Sequence, residues 1–476
     1  MDDSPLLDDQ LLESPARVFE RLRQIPGYTW DESRAPYHST YDNWHVFGSR
    51  LVALEPTRSA TSGSHHHGSI ASAVSVHASG YPVTPPVPPS FVPPSSRGSS
   101  TDQPPPLFIA HSDYLNSQRP IPTNSDDTNV VEQQVVARVS YHVLREERAF
   151  HTFKSLISSV DPEAEHIVKP IDLIRLPQQP GDRGPVIVAI YENPGPNYLF
   201  QCLDLGPAWY SAVKHSGRWE ARPKRPPKLD APLSLKTFLD FAIGAAQCLE
   251  VIHHGQGVSH GEIRGDAFHF NIETGKVKLV NFGAGLRSFE HSLTSTGWSS
   301  LSRELGVMHK LQYISPEQTG RTTAEPDTRT DIYSLGIVFW RLLTQQMVFQ
   351  GETPLDIVQA VLSRRIPNVT AIRIDIPEVI GRIIQKCTAK NIADRYHSAS
   401  GLRHDLVTVQ KMLGNGELEG LKDWAIGTHD VSSTFRLPIT MIGRERERDE
   451  LVKIIERASR SHHVIRSSII HHHHHT

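Results

Sequence analysis

The spacing of apolar residues changes once along this 476-residue chain, near residue 233. Before that point the apolar runs are short and rich in branched residues, which is typical of strands. These strand candidates are 41–52, 135–139 and 186–190, with one helical spacing at 146–156. After it, apolar residues recur every three or four positions in long stretches, which predicts helices at 235–252, 331–343, 355–362, 379–389 and 399–413. A small β-rich part therefore precedes a larger helical part.

One segment departs from both patterns. Residues 54–129 are dominated by Ser, Pro, Gly and His, with ten prolines between Pro82 and Pro106. A segment with so little to bury cannot offset the entropy of ordering, so we predict a disordered insert. Its proline runs are interpreted as a spacer, and recognition by an aromatic groove is the alternative.

Charge and cysteine content exclude several classes of protein. With 49 basic and 52 acidic residues the net charge is only −3, which predicts no nucleic-acid partner and no membrane-surface attraction. Three separated cysteines give neither a disulfide framework nor a C-x-x-C metal pair. The acidic N-terminus is unlike a secretory signal, and no run of 18 apolar residues occurs. A cytoplasmic protein without a membrane span is expected.

Four short motifs follow one another in the helical part. They are 260–267 (His-Gly-Glu-Ile-Arg-Gly-Asp-Ala), 281–283 (Asn-Phe-Gly), 314–317 (Ile-Ser-Pro-Glu) and 331–336 (Asp-Ile-Tyr-Ser-Leu-Gly). In this order and spacing they resemble the catalytic loop, the metal-binding turn, the end of the activation segment and the following buried helix of protein kinases. The resemblance implies an α+β, two-lobed protein-kinase-like fold with a β-rich N-lobe and a helical C-lobe.

A narrower resemblance follows from 311–321 and 327–336, which look like the N-terminal kinase-like module of large fungal hybrid histidine kinases. It implies a segment carrying the first N-lobe strand at 1–53, the insert at 54–129, a protein-kinase-like domain at 130–413 and a tail at 414–476. Residues 442–448 resemble the lead-in to a P-loop ATPase region, and no complete phosphate loop follows. The expected partners are histidine kinase or P-loop ATPase domains in a two-component phosphorelay.

The positions that would handle phosphate depart from the kinase pattern. Phosphoryl transfer needs a strand lysine, a carboxylate for the substrate hydroxyl, and magnesium ligands. The strand lysine is replaced by Arg138. Its helix glutamate aligns best with Ala149, although Glu146 and Glu147 are close, and we expect this ion pair to be lost. The resemblance also implies a hinge near Glu192, a nucleotide-binding position.

The catalytic loop and metal-binding turn depart further. The catalytic aspartate position is Glu262, the loop asparagine position is Ala267, and the metal-binding aspartate position is Asn281, followed by Phe282 and Gly283. We interpret His260 as a core histidine of the loop and Phe282 as a packing residue. Asn281 and Asp266 are the metal-ligand candidates at this site. ATP is a candidate cofactor, while magnesium is disfavoured.

Residues with structural roles are kept. By resemblance, Glu317 pairs with Arg395, and Asp331 accepts backbone N–H bonds from the catalytic loop. Losing the phosphate network while keeping the skeleton predicts a pseudokinase that serves as a regulatory or scaffold module. Two alternatives stay open: an active serine/threonine kinase with Glu262 as base and Asp266 as metal ligand, and a nucleotide sensor without hydrolysis.

Overall fold

The computed structural model describes residues 13–54, 129–199, 211–222, 233–256, 258–282, 306–430 and 445–461. The chain divides into two compact units. The β-rich unit comprises Met1–Ile157, Pro162–Leu229 and His269–Thr274, and the helical unit comprises Ser158–Asp161, Asp230–Phe268 and Gly275–Thr476. Apart from its two end residues, the insert predicted at 54–129 lies outside the described residues.

The β-rich unit is built on one antiparallel sheet. Its elements are α1 (Pro15–Arg23), β1 (Thr29–Trp30), β2 (Tyr37–His38), β3 (Trp44–Ala53), β4 (Val130–Ser140), α2 (Val143–Ser159), β5 (Pro170–Leu176), β6 (Val186–Glu192), β7 (Ser211–His215) and β8 (Arg218–Arg222). The strand order is β1-β3-β4-β6-β5, with β2 paired to β3. The register sets Arg138 of β4 between His45 and Ala189.

An N-terminal helix that the sequence did not predict is fixed to this unit by charge. Ser14 caps α1 by accepting the Arg17 backbone N–H, and Pro15 starts the helix. Arg21 is buried and donates to Asp182 Oδ1 over 2.8 Å, to Glu13 and to the Tyr141 hydroxyl. The Arg21 guanidinium and the Gln179 backbone N–H hold the pKa of Asp182 well below its usual range. These bonds join α1 to the loop between β5 and β6.

The helical unit begins with the long helix that the periodicity predicted. Its elements are α3 (Leu235–Gln256), β10 (Lys276–Leu279), α4 (Val307–Leu311), α5 (Thr328–Thr344), α6 (Pro354–Ser363), α7 (Val369–Ile372), α8 (Glu378–Cys387), α9 (Ala399–Gly414), α10 (Leu418–Lys422) and α11 (Glu445–Ser461). The strand β9 (Phe268–Asn271) precedes β10, and all of its residues except Phe268 belong to the β-rich unit. Gly244 lets α3 approach Val277 closely, since a Cβ there would lie 2.4 Å from a valine methyl.

Helix α5 is the centre of the helical core. Asp327 caps it by accepting the Arg329 backbone N–H over 2.7 Å. All residues of α5 from Thr330 to Leu343 are buried, and a helix that is apolar on most sides is expected only inside a domain. Phe339 packs edge-to-face against Phe238 of α3, with ring centroids 5.4 Å apart.

The first part of the predicted tail, after α9, is bound to the helical unit by hydrogen bonds. Asp430 accepts the backbone N–H groups of His397 and Ser398 over 2.6 and 3.1 Å, and Arg382 of α8 donates to the carbonyl of Trp424 over 2.6 Å. Residues 415–430 therefore bind along α8 and α9. These bonds satisfy two N–H groups just before α9 and a carbonyl just after α10, which an extended chain would leave to water. Among the described residues, none of the helices could cross a membrane.

Candidate functional site: the loop around His260

Asp331, at the start of α5, organises the loop that carries most predicted site residues. Its carboxylate accepts the backbone N–H groups of His260 and Gly261 over 2.7 and 2.8 Å and lies 2.8 Å from the ring Nε2 of His253. Gly261 has φ +81°, a left-handed conformation that favours glycine. Burial opposes ionisation of Asp331, but the His253 hydrogen bond and nearby imidazoles outweigh it and hold the pKa of the carboxyl below its ordinary value.

His260 connects this loop to Asn281, which stands at the position of the metal-binding turn. Its Nδ1 accepts the Glu262 backbone N–H over 3.1 Å, so the proton lies on Nε2, which donates to the Asn281 carbonyl over 2.7 Å. Burial lowers the pKa of His260, which favours this neutral tautomer. The imidazole also lies against Phe282, with ring centroids 4.7 Å apart. These contacts give His260 a positioning role in the loop.

Glu262, at the catalytic-base position, is held by its own loop. It is buried, and its Oε2 lies 3.3 Å from Arg264 Nη2 in a buried ion pair. The sequence reasoning missed Arg264, although a basic residue two positions after the acidic one was a readable signal. An ion-paired carboxylate is a weaker proton acceptor than a free one, because the guanidinium favours its charged form.

Asn281 also bonds within the loop. Its Nδ2 donates to the backbone carbonyl of Asp266 over 2.6 Å, while its Oδ1 is buried without a hydrogen-bond partner in the described part of the chain. The Ala267 carbonyl accepts the N–H groups of Val280 and Asn281, which fixes the two segments together. An amide oxygen is a neutral and therefore weaker ligand for a dication than a carboxylate. Asp266 is buried beside it.

Glu317 and Arg395 form a buried ion pair. Arg395 donates to both carboxylate oxygens of Glu317, over 2.5 and 2.8 Å, and to the carbonyl of Ala389 over 2.8 Å. Thr330 adds a hydroxyl donor to Glu317 Oε2 over 2.8 Å. The two side chains come from segments 78 residues apart, so this bidentate pair closes the 316–319 turn onto the segment before α9.

In the β-rich unit, Arg138 lies flat on an aromatic ring. Its guanidinium carbon is 3.9 Å from the Tyr191 ring centroid, and its Nε has no hydrogen-bond partner among the described residues. Burial lowers the pKa of Arg138, and the negative charge of Glu146 on α2 opposes that shift. Burial likewise raises the pKa of Glu146, which accepts Asn43 Nδ2 over 2.6 Å.

On helix α2, the charge that acts on Arg138 comes from Glu146 and not from position 149. Ala149 is buried as the alignment suggested, but Glu146 is buried one turn earlier and faces the charge of Arg138. The two residues attract electrostatically without an ion pair within 4 Å in the described contacts. The periodicity of α2 allowed either residue, and only the packing selected Glu146.

The predicted site residues divide between the units. Arg138 and Glu192, which is buried at the end of β6, lie in the β-rich unit, whereas Glu262, His260, Asn281, Phe282, Asp266, Glu317, Asp331 and Arg395 lie in the helical unit. Gly283 lies outside the described residues. Within the described ranges, no three His, Cys, Asp or Glu side chains cluster in a way that could hold a metal ion.

Comparison with known proteins identifies the class first. Residues 230–407 match the protein kinase domain family. The matched region lies in the helical unit except for residues 269–274, and the β-sheet unit precedes it in the chain. The chain therefore contains a kinase-like domain.

Among the proteins similar to this chain are several that are named histidine kinases. The chain is 34% identical over 223 residues to the peroxide stress-activated histidine kinase mak2 of Schizosaccharomyces pombe, covering 47% of this chain and 8% of mak2. It is 33% identical to mak3 of the same yeast, covering 47% of this chain and 9% of mak3. The hybrid signal transduction histidine kinase G of Dictyostelium discoideum is 25% identical, over 48% of this chain and 9% of that protein. The chain thus spans less than a tenth of these relatives.

Proposed function

We propose that the kinase-like domain is a catalytically degenerate regulatory or scaffold module of a histidine kinase signalling protein. The observation that carries the proposal is the arrangement around Asn281: the amide replaces a metal-binding carboxylate, and its Nδ2 is committed to the Asp266 carbonyl. Losses within one phosphate-handling network act as a unit, so the changes at Glu262, Ala267 and Asn281 are expected to compound.

Two further contacts support the proposal. Glu262 is ion-paired to Arg264, which makes it a poorer base for a substrate hydroxyl. Arg138 is planar and stacked on Tyr191, a geometry that a compact lysine ammonium would not share. By contrast, the bonds that hold the loop, from Asp331 and His260, are intact.

The names of the relatives suggest the pathway. Since mak2, mak3 and histidine kinase G all carry histidine kinase in their names, we propose a place for this domain in fungal two-component signalling in the cytoplasm, as part of a phosphorelay. Its partners would be histidine kinase or P-loop ATPase domains. Binding of such domains, added in trans to the full chain and measured by calorimetry, tests this part separately from catalysis.

The catalytic part is tested by phosphate transfer. The full chain is incubated with magnesium and γ-labelled ATP, alone and with a generic protein substrate, beside Glu262→Gln. We expect the wild-type chain to incorporate no more labelled phosphate than Glu262→Gln does. Incorporation above it, lost in Glu262→Gln at unchanged melting temperature, would establish an active serine/threonine kinase instead.

A second candidate, a nucleotide sensor without hydrolysis, is favoured by the buried Oδ1 of Asn281, which has no donor within the described residues. A cation held with ATP could use this oxygen. Binding to the folded state alone raises the melting temperature, so millimolar ATP with and without magnesium distinguishes a sensor from a scaffold. Asn281→Asp supplies a matched control, because a restored carboxylate should increase any magnesium-dependent shift. If ATP shifts the melting temperature of neither protein, the scaffold function is supported and the sensor is excluded.

A further inference from the structure

Arg34, in the turn between β1 and β2, is buried with two of its nitrogen atoms unsatisfied. The residue is 5% exposed, and its Nε and Nη1 have no hydrogen-bond partner among the described residues. Its guanidinium carbon lies 3.8 Å from the Phe47 ring centroid. The ring attracts the charge of the guanidinium, but it does not occupy the N–H donors, which lie in the guanidinium plane. Two buried donors of one cation therefore lack an acceptor.

Asp31, three residues earlier in the same turn, has an unsatisfied acceptor. Its backbone N–H donates to the Phe47 carbonyl over 2.8 Å, which fixes the turn to β3. Its Oδ1 accepts the backbone N–H and the hydroxyl of Ser33, whereas its Oδ2 is buried with no hydrogen-bond partner in the described part of the chain. Although the charge of Asp31 acts on Arg34, the unsatisfied atoms of the two side chains do not bond to each other.

The turn keeps its positive charge near neutrality and lies just below the surface. Burial lowers the pKa of Arg34 to about 9, and the charge of Asp31 opposes that shift, so the guanidinium is still cationic at pH 7.5. Glu32 and Ser33, at the tip of the turn, are exposed. Buried polar atoms in folded proteins nearly always have a partner, which can be a bound ion, so these three atoms indicate a missing ligand.

The missing ligand has to accept from Arg34 and also donate to Asp31. An ionised carboxylate can only accept, so a fully ionised anion such as sulfate offers it no donor and is repelled by its charge. A hydrogen phosphate group has both functions, because its P–O oxygens accept and its P–OH donates. Arginine is also the side chain whose planar donors best match phosphate oxygens.

We propose that Arg34 and Asp31 form a binding site for a protonated phosphate group, which is supplied by inorganic phosphate or by a phosphate monoester. Nε and Nη1 of Arg34 donate to unprotonated phosphate oxygens, and the P–OH donates to Asp31 Oδ2. Binding needs no metal ion and changes no covalent bond. The site lies wholly in the β-rich unit and shares no residue with the loop around His260.

The test is a calorimetric titration of the full chain at pH 7.5, without magnesium and at constant ionic strength. We expect phosphate to bind about tenfold more tightly than sulfate, since one hydrogen bond to a charged group distinguishes the two anions. Asp31→Asn, whose amide can donate, should lower this ratio about tenfold. Arg34→Met should weaken phosphate binding at least about tenfold. Arg175→Met, which removes a 64% exposed arginine of the same unit, is the control and should leave phosphate binding unchanged.

A monoester, glycerol 3-phosphate, distinguishes the two sources of the phosphate group. Its second pKa is about 6, so it carries the P–OH at pH 5.5 and has largely lost it at pH 7.5. Binding at pH 5.5 that fades at pH 7.5, relative to inorganic phosphate, identifies monoesters as ligands, and no binding at either pH identifies the free anion.

Melting temperatures establish that each variant is folded, and Arg34→Lys, which keeps the charge with fewer donors, replaces Arg34→Met if that variant unfolds. The Asp31→Asn comparison of two anions within one protein does not depend on either. Equal binding of phosphate and sulfate, a ratio unchanged in Asp31→Asn, or phosphate binding unaffected at Arg34 overturns the proposal. Absence of phosphate binding also overturns it and means that the turn holds water only.

Discussion

Two arginines, one in each unit, are both buried but differ in their hydrogen bonding. Arg395 of the helical unit donates to both oxygens of Glu317 and to the Ala389 carbonyl. Arg138 of the β-rich unit stacks on Tyr191 and leaves its Nε without a partner in the described residues. Burying a charge is costly unless it is paired and hydrogen-bonded. Burial therefore does not by itself tell which charged residue stabilises the fold.

The same contrast separates the residues that stabilise the fold from those at the phosphate-handling positions. Asp331, like Arg395, uses its whole charged group in the network that shapes the loop around His260. Arg138, Glu262 and Asn281 stand at positions that would handle phosphate, and their described contacts are to Tyr191, to Arg264 and to the Asp266 carbonyl. The buried charges of Asp331 and Arg395 are fully hydrogen-bonded and stabilise the fold. The proposed loss of catalysis concerns the residues at the phosphate-handling positions.

The largest effect is expected from Arg395→Met. Removing one partner of a buried pair leaves Glu317 uncompensated, so the free energy of unfolding should fall by about 3 to 5 kcal/mol. Urea denaturation combined with hydrogen exchange in the helical unit measures it. The double variant Arg395→Met, Glu317→Leu is the control and should recover much of the loss. A loss below about 1 kcal/mol would mean that the pair does not hold the fold.

Asp331→Ala should cost somewhat less, about 2 to 3 kcal/mol, since it leaves two buried N–H groups unsatisfied. Because the pKa of Asp331 is lowered in the folded protein, its contribution is complete above the ordinary aspartate value near 3.8 and fades as the pH falls below it. The difference between wild type and variant, measured by denaturation from pH 7 to pH 3, should shrink towards acid. A difference that grows towards acid would refute this reading of the network.

Asp430 is an intermediate case, a half-buried carboxylate that accepts the two backbone N–H groups just before α9 yet is only partly compensated. Burial raises its pKa to about 6, despite bonds from His397 and Ser398. The folded state therefore binds a proton more readily than the unfolded state, and stability declines as the pH rises from about 4 to 6. Relative to Asp430→Asn, wild type should lose about 2 kcal/mol across that window. Thermal melting at pH 4.5 and 7 checks this, and parallel profiles would exclude it.

The smallest change is expected from Arg138→Met, the same substitution as in Arg395 but in the β-rich unit. A flexible apolar side chain keeps the contact with Tyr191 and removes an incompletely satisfied charge, so the cost should be about 1 kcal/mol or less. Denaturation of both methionine variants under one condition makes the comparison direct. Equal costs would remove the distinction between the two units.

Much of the fold could be predicted from local sequence. The strand predicted at 186–190 is β6, and the helices predicted at 331–343 and 399–413 are α5 and α9 with small extensions. Apolar periodicity sets these elements because one face of each is buried. Short elements such as β1 and α10 were missed, since two to five residues carry no period and form only when a neighbour supplies their hydrogen bonds.

The sequence predicted which residues form the candidate site, but not which partners they contact. The motif spacing gave Glu262, Asn281 and Asp331, yet it did not give the Arg264 pairing, the His253 contact or the use of Glu146 in place of Ala149. These partners are chosen by three-dimensional distance, and helical spacing leaves neighbouring turns equivalent until the packing is fixed.

The sequence alone determined which chemical groups stand at each motif position and where the long periodic helices such as α5 and α9 lie, because both are properties of residue type and local periodicity. Only the tertiary structure decided which buried charges are satisfied. Arg395 obtains its carboxylate from 78 residues away, whereas the Nε of Arg138 has no hydrogen-bond partner among the described residues. The strength of a charge depends on its surroundings, and those are assembled only when distant segments meet.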